Sequence, residues 1–223
     1  MSILVKISDK IAYKFSRANR ARKFELFKHL VKPTKDSAIL DVGFDDEEYS
    51  GTDNYLEKHY PWPEQITALS DQEPIKFKQR YPHIKALSYD GKTFPFKDKE
   101  FDIGWSNAVI EHVGDYDRQL QFLSEMKRSC RQVYLTTPNR WFPVEVHTRL
   151  PLLHFLPKKY FDKILNLIGI KWAAGDYVYL LSYRKLKELL AAADIKNYKI
   201  IKNKLAGFNL DFVIYFNTDD QQA

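Results

Sequence analysis

The stretch Ala38-Ile-Leu-Asp-Val-Gly43 constrains the fold most, because a short apolar run without alternation, stopped by a glycine, is the pattern of a strand covered on both faces. The pattern returns along the chain. Gln65-Ile-Thr-Ala-Leu69 ends in Ser70 and Asp71, His83-Ile-Lys-Ala-Leu-Ser-Tyr89 ends in Asp90-Gly91, the strand that opens at Phe101-Asp102 leads into Ser106-Asn107, and Gln132-Val-Tyr-Leu-Thr-Thr137 closes on Pro138-Asn139. Helical segments are predicted between them over 54–60, capped by Asp53, and over 116–126. Ser182 caps a further helix over 183–193, followed by two strands, 199–201 and 211–216, joined at Gly207. Strands alternating with helices predict a doubly wound, mostly parallel α/β sheet. Ligands in such sheets lie beyond the carboxyl ends of the strands, where Asp41 and Gly43 stand.

With 223 residues, 44% of them hydrophobic, the chain suits one domain with a sizeable core rather than two or a disordered segment. Cys130 is the only cysteine, which excludes an intrachain disulfide and suggests a reducing compartment. No apolar run is long enough to span a bilayer and the start lacks a signal-peptide core, so the expectation is a cytoplasmic protein, with peripheral membrane contact as its extension.

The charge is uneven. Residues 1–35 hold ten Lys/Arg against two Asp/Glu, a local +8, whereas the remainder, 25 against 27, carries −2. Leu4, Ile7, Ile11 and Phe15, then Phe24, Phe27 and Val31, recur at helical spacing and predict two amphipathic helices ended by Pro33. Lys6, Lys10, Lys14, Arg17, Arg20, Arg22 and Lys23 would then face outward, toward solvent or an anionic surface. Aromatic residues are not interleaved with this basic run, which argues against nucleic acid as a partner. Residues 139–181 lose the regular alternation and are rich in aromatic and basic residues, the composition of a lid over a ligand site. Within the lid, residues 158–170 predict an amphipathic helix with Phe161, Ile164, Leu165 and Ile168 on one face.

In this order, Ile39-Leu-Asp-Val-Gly43, Tyr89-Asp90, Phe94-Pro-Phe96 before Phe101-Asp102, Ser106-Asn-Ala-Val-Ile-Glu-His-Val113 and Leu180-Leu-Ser-Tyr-Arg-Lys-Leu-Lys-Glu-Leu-Leu190 resemble the class I S-adenosylmethionine-dependent methyltransferases, type 11 branch, over residues 36–216. The resemblance implies a Rossmann-like sheet of seven strands with the last antiparallel, and S-adenosylmethionine as cofactor. It implies Asp41, Gly43 and Phe44 beside the methionine part of the donor, Ser70 or Asp71 on the ribose, Asp90 on the adenine, and Ser106 and Asn107 facing the donor from the fourth strand. It also implies a methyltransferase domain over 36–223, preceded by the helices of 1–35.

The chain departs from the family in the donor loop. Asp45 and Glu47 stand where the next two glycines of Gly-x-Gly-x-Gly belong. Either the loop is rebuilt, with Gly51 serving further along, or the acids of 45–48 face solvent, or donor binding is lost and the chain is a binding or regulatory module. No metal ligand spacing is regular enough to predict a metal. His147 and His112 are the candidate bases for an oxygen acceptor. Glu145 and His147 share a face if that segment is extended, and a neighbouring acid raises an imidazole's basicity. Glu111-His112 reads equally as a surface pair. The aromatic, basic lid suits a small-molecule, glycan or lipid-linked acceptor.

Overall fold

The structure, a computed structural model, describes residues 3–221. Seven strands form one sheet: β1 (Ile39–Val42), β2 (Ile66–Ser70), β3 (Lys85–Ser88), β4 (Phe101–Asn107), β5 (Cys130–Pro138), β6 (Tyr198–Leu205) and β7 (Phe208–Asn217). Their order is β3-β2-β1-β4-β5-β7-β6, with β7 antiparallel to both neighbours and the other pairings parallel. This is the expected doubly wound α/β sheet with its last strand reversed. Ala206 and Gly207, both at positive φ, make the tight turn between β6 and β7.

Two apolar layers cover the sheet. On one face α4 (Tyr116–Ser129) and α6 (Tyr183–Ala192) bury Phe122, Leu123, Met126, Leu186, Leu189 and Leu190 against Leu40, Val133 and Ile214. The cap read at Ser182 is present, and Asp115 caps α4. The Asp115 carboxylate accepts from the Arg118 amide, and Ser182 Oγ accepts from that of Lys185. On the other face lie α1 (Ile3–Val31), α2 (Tyr55–His59) and α3 (Ile75–Arg80), the last not anticipated from the sequence. Phe24, Phe27 and Val31 of α1 pack with Trp105 and Tyr134, whose rings stack 5.2 Å apart.

The N-terminal segment is one continuous helix, not two, because no helix breaker lies between Phe15 and Phe24. Leu4, Ile7, Ile11, Lys6, Lys10 and Lys14 lie outside the residues whose side chains are described. Of the other basic residues expected to face outward, Arg17 and Arg22 do, whereas Lys23 is buried and ion-paired with Asp211 at 3.4 Å, and Arg20 lines the main cavity. Asp53 does not cap α2; its carboxylate accepts from the amides of Tyr49 and Ser50 instead. Thr218 is buried, and its hydroxyl donates to the carbonyls of Cys130 and Arg131.

The segment 139–181 holds α5 (Lys158–Leu167), which buries Phe161 and Leu165 against Ala173, and Ile168 beyond it is half exposed. Its ends meet where Asn139 bridges Leu181. No helix among the described residues is long and apolar enough to cross a membrane.

Candidate active site

A cavity of about 710 Å³ opens at the carboxyl ends of β1, β2 and β4, where the order of the strands reverses between β1 and β4. Asp41, Gly43, Phe44, Asp45, Ser70, Asp71, Asn107, His112 and His147 line it together with Arg20. Gly43 is required twice. Its φ is +106°, and a Cβ there would stand 2.2 Å from Val109 Cγ2, so only glycine lets the β1 and β4 loops close on each other. The Phe44 ring turns away into the core, 4.5 Å from that of Phe77. Asn107 is oriented from behind: Thr136 Oγ1 donates to its Oδ1 at 2.8 Å, and Lys23 donates to the same hydroxyl at 3.2 Å.

Two of the expected donor residues are engaged elsewhere. The Asp90 carboxylate is exposed and accepts from the amides of Lys92 and Thr93; Tyr89 and Gly91 line the cavity, and Asp90 does not. Ser106 is buried and donates to the Val42 carbonyl at 3.0 Å, tying β4 to β1 instead of facing the cavity. A carboxylate after a strand forms an Asx turn as readily as a ligand site, and the sequence carries no signal that separates them.

The acidic loop is mostly turned away from the cavity. Asp46 accepts from the Phe77 amide at the start of α3, Glu47 pairs with Lys76, and Glu48 pairs with Lys58 at 2.8 Å while accepting from Tyr81. Those contacts hold Glu48 below the usual carboxylate range although burial acts to raise it. The loop is therefore a brace between β1 and the helices α2 and α3. Of the acids at 45–48, Asp45 alone lines the cavity, and Gly51 is exposed and outside it.

Asp41 faces a second buried carboxyl, Glu57 of α2. Burial, with the Glu57 charge beside it, raises the Asp41 carboxyl well above its ordinary value, and burial raises Glu57 as well. Neither Glu57 oxygen has a partner when both groups are ionised, so one proton shared between the two carboxyls supplies the missing donor. Opposite them, Arg20 makes no side-chain hydrogen bond or ion pair among the described residues. Burial lowers its pKa, with Asp53 and Asp45 opposing, yet a guanidinium stays charged.

At the far end of the cavity the two candidate bases meet. His112 Nε2 and His147 Nε2 are 3.1 Å apart, although 35 residues separate them in the chain. His112 donates from Nδ1 to the Tyr177 carbonyl at 2.8 Å, and His147 from Nδ1 to Glu145 Oε1 at 2.7 Å. Burial acts to raise Glu145, but His147 and the His147 and Thr148 amides hold it at about 2. Burial acts to lower His147, and the Glu145 carboxylate raises it above its ordinary value. Glu111 is not a surface residue. It is fully buried beside the pair, accepts from Thr137 Oγ1 at 2.9 Å, and its other oxygen has no partner. Arg20, Glu57 and Glu111 were not read as site residues, because their charge suggested exposure.

Residues 51–133 match the family model described as a methyltransferase domain. Over these residues, less than half of the chain, it is similar to that family. The match begins beyond β1 and beyond the acids of 45–48, so the altered donor loop lies outside it. The fold of the chain recurs in solved structures. A S-adenosylmethionine-dependent methyltransferase from Thermotoga maritima is 14% identical with a TM-score of 0.54, over 96% of this chain and 95% of that one. Geranyl diphosphate C-methyltransferase from Streptomyces coelicolor, solved with Mg2+, geranyl diphosphate and S-adenosyl-L-homocysteine, is 13% identical with a TM-score of 0.57, over 89% and 78%. A protein from Pyrococcus horikoshii is 11% identical with a TM-score of 0.58, over 90% of each chain. At such identity the likeness is one of fold. No curated protein matches the chain by sequence.

Proposed function

We propose that this chain moves a methyl group from S-adenosylmethionine to an oxygen of a small-molecule, glycan or lipid-linked acceptor. The observation that carries the reading is the cavity itself. Polar groups at the end of β2, the Gly43 turn and a partnerless Arg20 occupy one part of it, and an oriented imidazole pair occupies another. In this reading the donor ribose lies by Ser70 and Asp71, its amino group meets Asp41, and Arg20 binds its carboxylate, which answers the repulsion expected from the acidic loop. The acceptor stands at His112 and His147. Its oxygen forms the new O–C bond, the S–C bond breaks with its electron pair left on sulfur, and the hydroxyl proton leaves toward the imidazole pair.

A second cavity of about 540 Å³ supports an acceptor with an apolar body and an anionic group. Trp141, Leu156, Phe161 and Val178 line it together with Arg140, Lys158 and Lys185. The segment 176–179 borders both cavities.

Titration calorimetry with S-adenosylhomocysteine tests the reading. Binding in the wild-type chain that weakens about 10–100-fold in Arg20→Ala is expected, the cost of one hydrogen bond to a charged group. Absence of heat with both S-adenosylhomocysteine and S-adenosylmethionine would instead leave the rival, a methyltransferase-like binding module.

A further inference from the structure

The two facing imidazoles pose a problem of protons. His112 Nδ1 lies 2.8 Å from a backbone carbonyl and His147 Nδ1 lies 2.7 Å from an ionised carboxylate, and both partners can only accept. Each Nδ1 therefore carries a hydrogen. In the neutral rings both Nε2 atoms then present lone pairs, and they do so 3.1 Å apart. Two lone pairs at that distance repel unless a cation lies between them. Beside them is the partnerless Oε1 of Glu111, a fully buried carboxylate, and the ligand atoms of all three residues lie within 4.8 Å of one another.

We propose that Glu111, His112 and His147 hold a divalent first-row transition metal ion of the zinc type. The donor set of two imidazoles and one carboxylate suits such an ion and leaves coordination positions open. At metal–nitrogen bonds of about 2.05 Å, the observed nitrogen separation subtends about 100° at the metal, between the octahedral and tetrahedral angles. The outer partners are those that metal-bound histidines use: a carboxylate behind one ring and a carbonyl behind the other, each fixing the tautomer that frees Nε2. His112 and His147 border the cavity, so the open positions face it. A bound ion takes up both Nε2 lone pairs, coordinates the acceptor oxygen and lowers its pKa, so that the hydroxyl proton passes to solvent; the imidazole pair is the proton acceptor only in the metal-free site. Binding stands on the side-chain geometry alone; the role at the acceptor rests on the methyl-transfer reading above.

Chelator-stripped full-length chain titrated with zinc chloride, with the bound metal counted by elemental analysis, tests the site. One zinc ion per chain is expected. Binding is lost in His112→Ala and His147→Ala, weakens about 10–100-fold in Glu145→Gln, whose carboxylate only orients a ligand, and is unchanged in the exposed His83→Ala. Should a histidine variant fail to fold, the unmodified chain still decides, because zinc then shifts the imidazole nitrogen resonances of two of the six histidines. A wild-type chain that binds no zinc, or variants that bind it as tightly as wild type, overturns the proposal and leaves a proton between the rings. Donor heat without zinc binding removes the metal alone, and zinc binding without donor heat removes the methyl-transfer reading alone.

Discussion

At the scale of single residues, the chemistry of the cavity depends on where protons reside. Asp41 and Glu57 both have raised pKa values in the folded chain. Their contribution to stability is therefore complete below the unfolded carboxylate range and is lost as pH rises through their folded values. Glu57→Gln, whose amide donates to Asp41, should raise stability at pH 7 by about 0.5–2 kcal/mol and flatten the decline above the unfolded carboxylate range. Thermal melts across pH check both; a lower melting temperature at pH 7 would mean the pair is already satisfied. His147→Ala should reduce turnover about 100-fold or more while sparing donor affinity, because the imidazole stands at the acceptor end. Single-turnover assays beside calorimetry separate the two. Glu145 and His147 were legible as a pair from their spacing. Glu111 was not, since an acid next to a histidine at the end of a strand reads the same on the surface as in the core.

At the scale of elements, the β1 and β4 loops meet at Gly43 and Val109. Gly43→Ala must place a methyl group 2.2 Å from Val109 Cγ2 in a left-handed backbone. The expected cost is about 1–3 kcal/mol, with donor affinity falling alongside it. Denaturant melts with donor titration read the two effects together, and an alanine variant of native stability would show the loops to be loosely packed. Glu48 closes the loop on α2 and α3 through Lys58 and Tyr81. Of the two acids that stand where glycines were expected, Glu47 pairs with Lys76 of α3 and Asp45 lines the cavity. The short apolar strands and the Ser182 cap were legible because they are local patterns. Helix α3 was missed because its six residues bury little besides Phe77.

At the scale of the molecule, α1 belongs to the core and is not an appended basic arm. Lys23 reaches across to Asp211 on β7, and Asn19 and Asn203 hydrogen-bond the same carboxylate. Lys23→Ala leaves that buried charge without its counter-ion and should cost about 3–5 kcal/mol. Chemical denaturation measures the loss, and a change under 1 kcal/mol, about the worth of an exposed pair, would show the pair to be hydrated. Among the described side chains, the basic residues of 1–35 are thus divided among a buried ion pair, a cavity guanidinium and an exposed face. Composition alone cannot make that division, because burial of a charge depends on the partner it meets.

The sequence by itself determined the alternation of strands and helices and the position of Gly43, since each is written in residues close together in the chain. Only the tertiary structure decided that His112 and His147 share one end of the cavity, that Arg20 turns inward, and that Asp90 and Ser106 serve the backbone. Those outcomes depend on which distant groups satisfy buried charges and lone pairs, and that choice is made by packing.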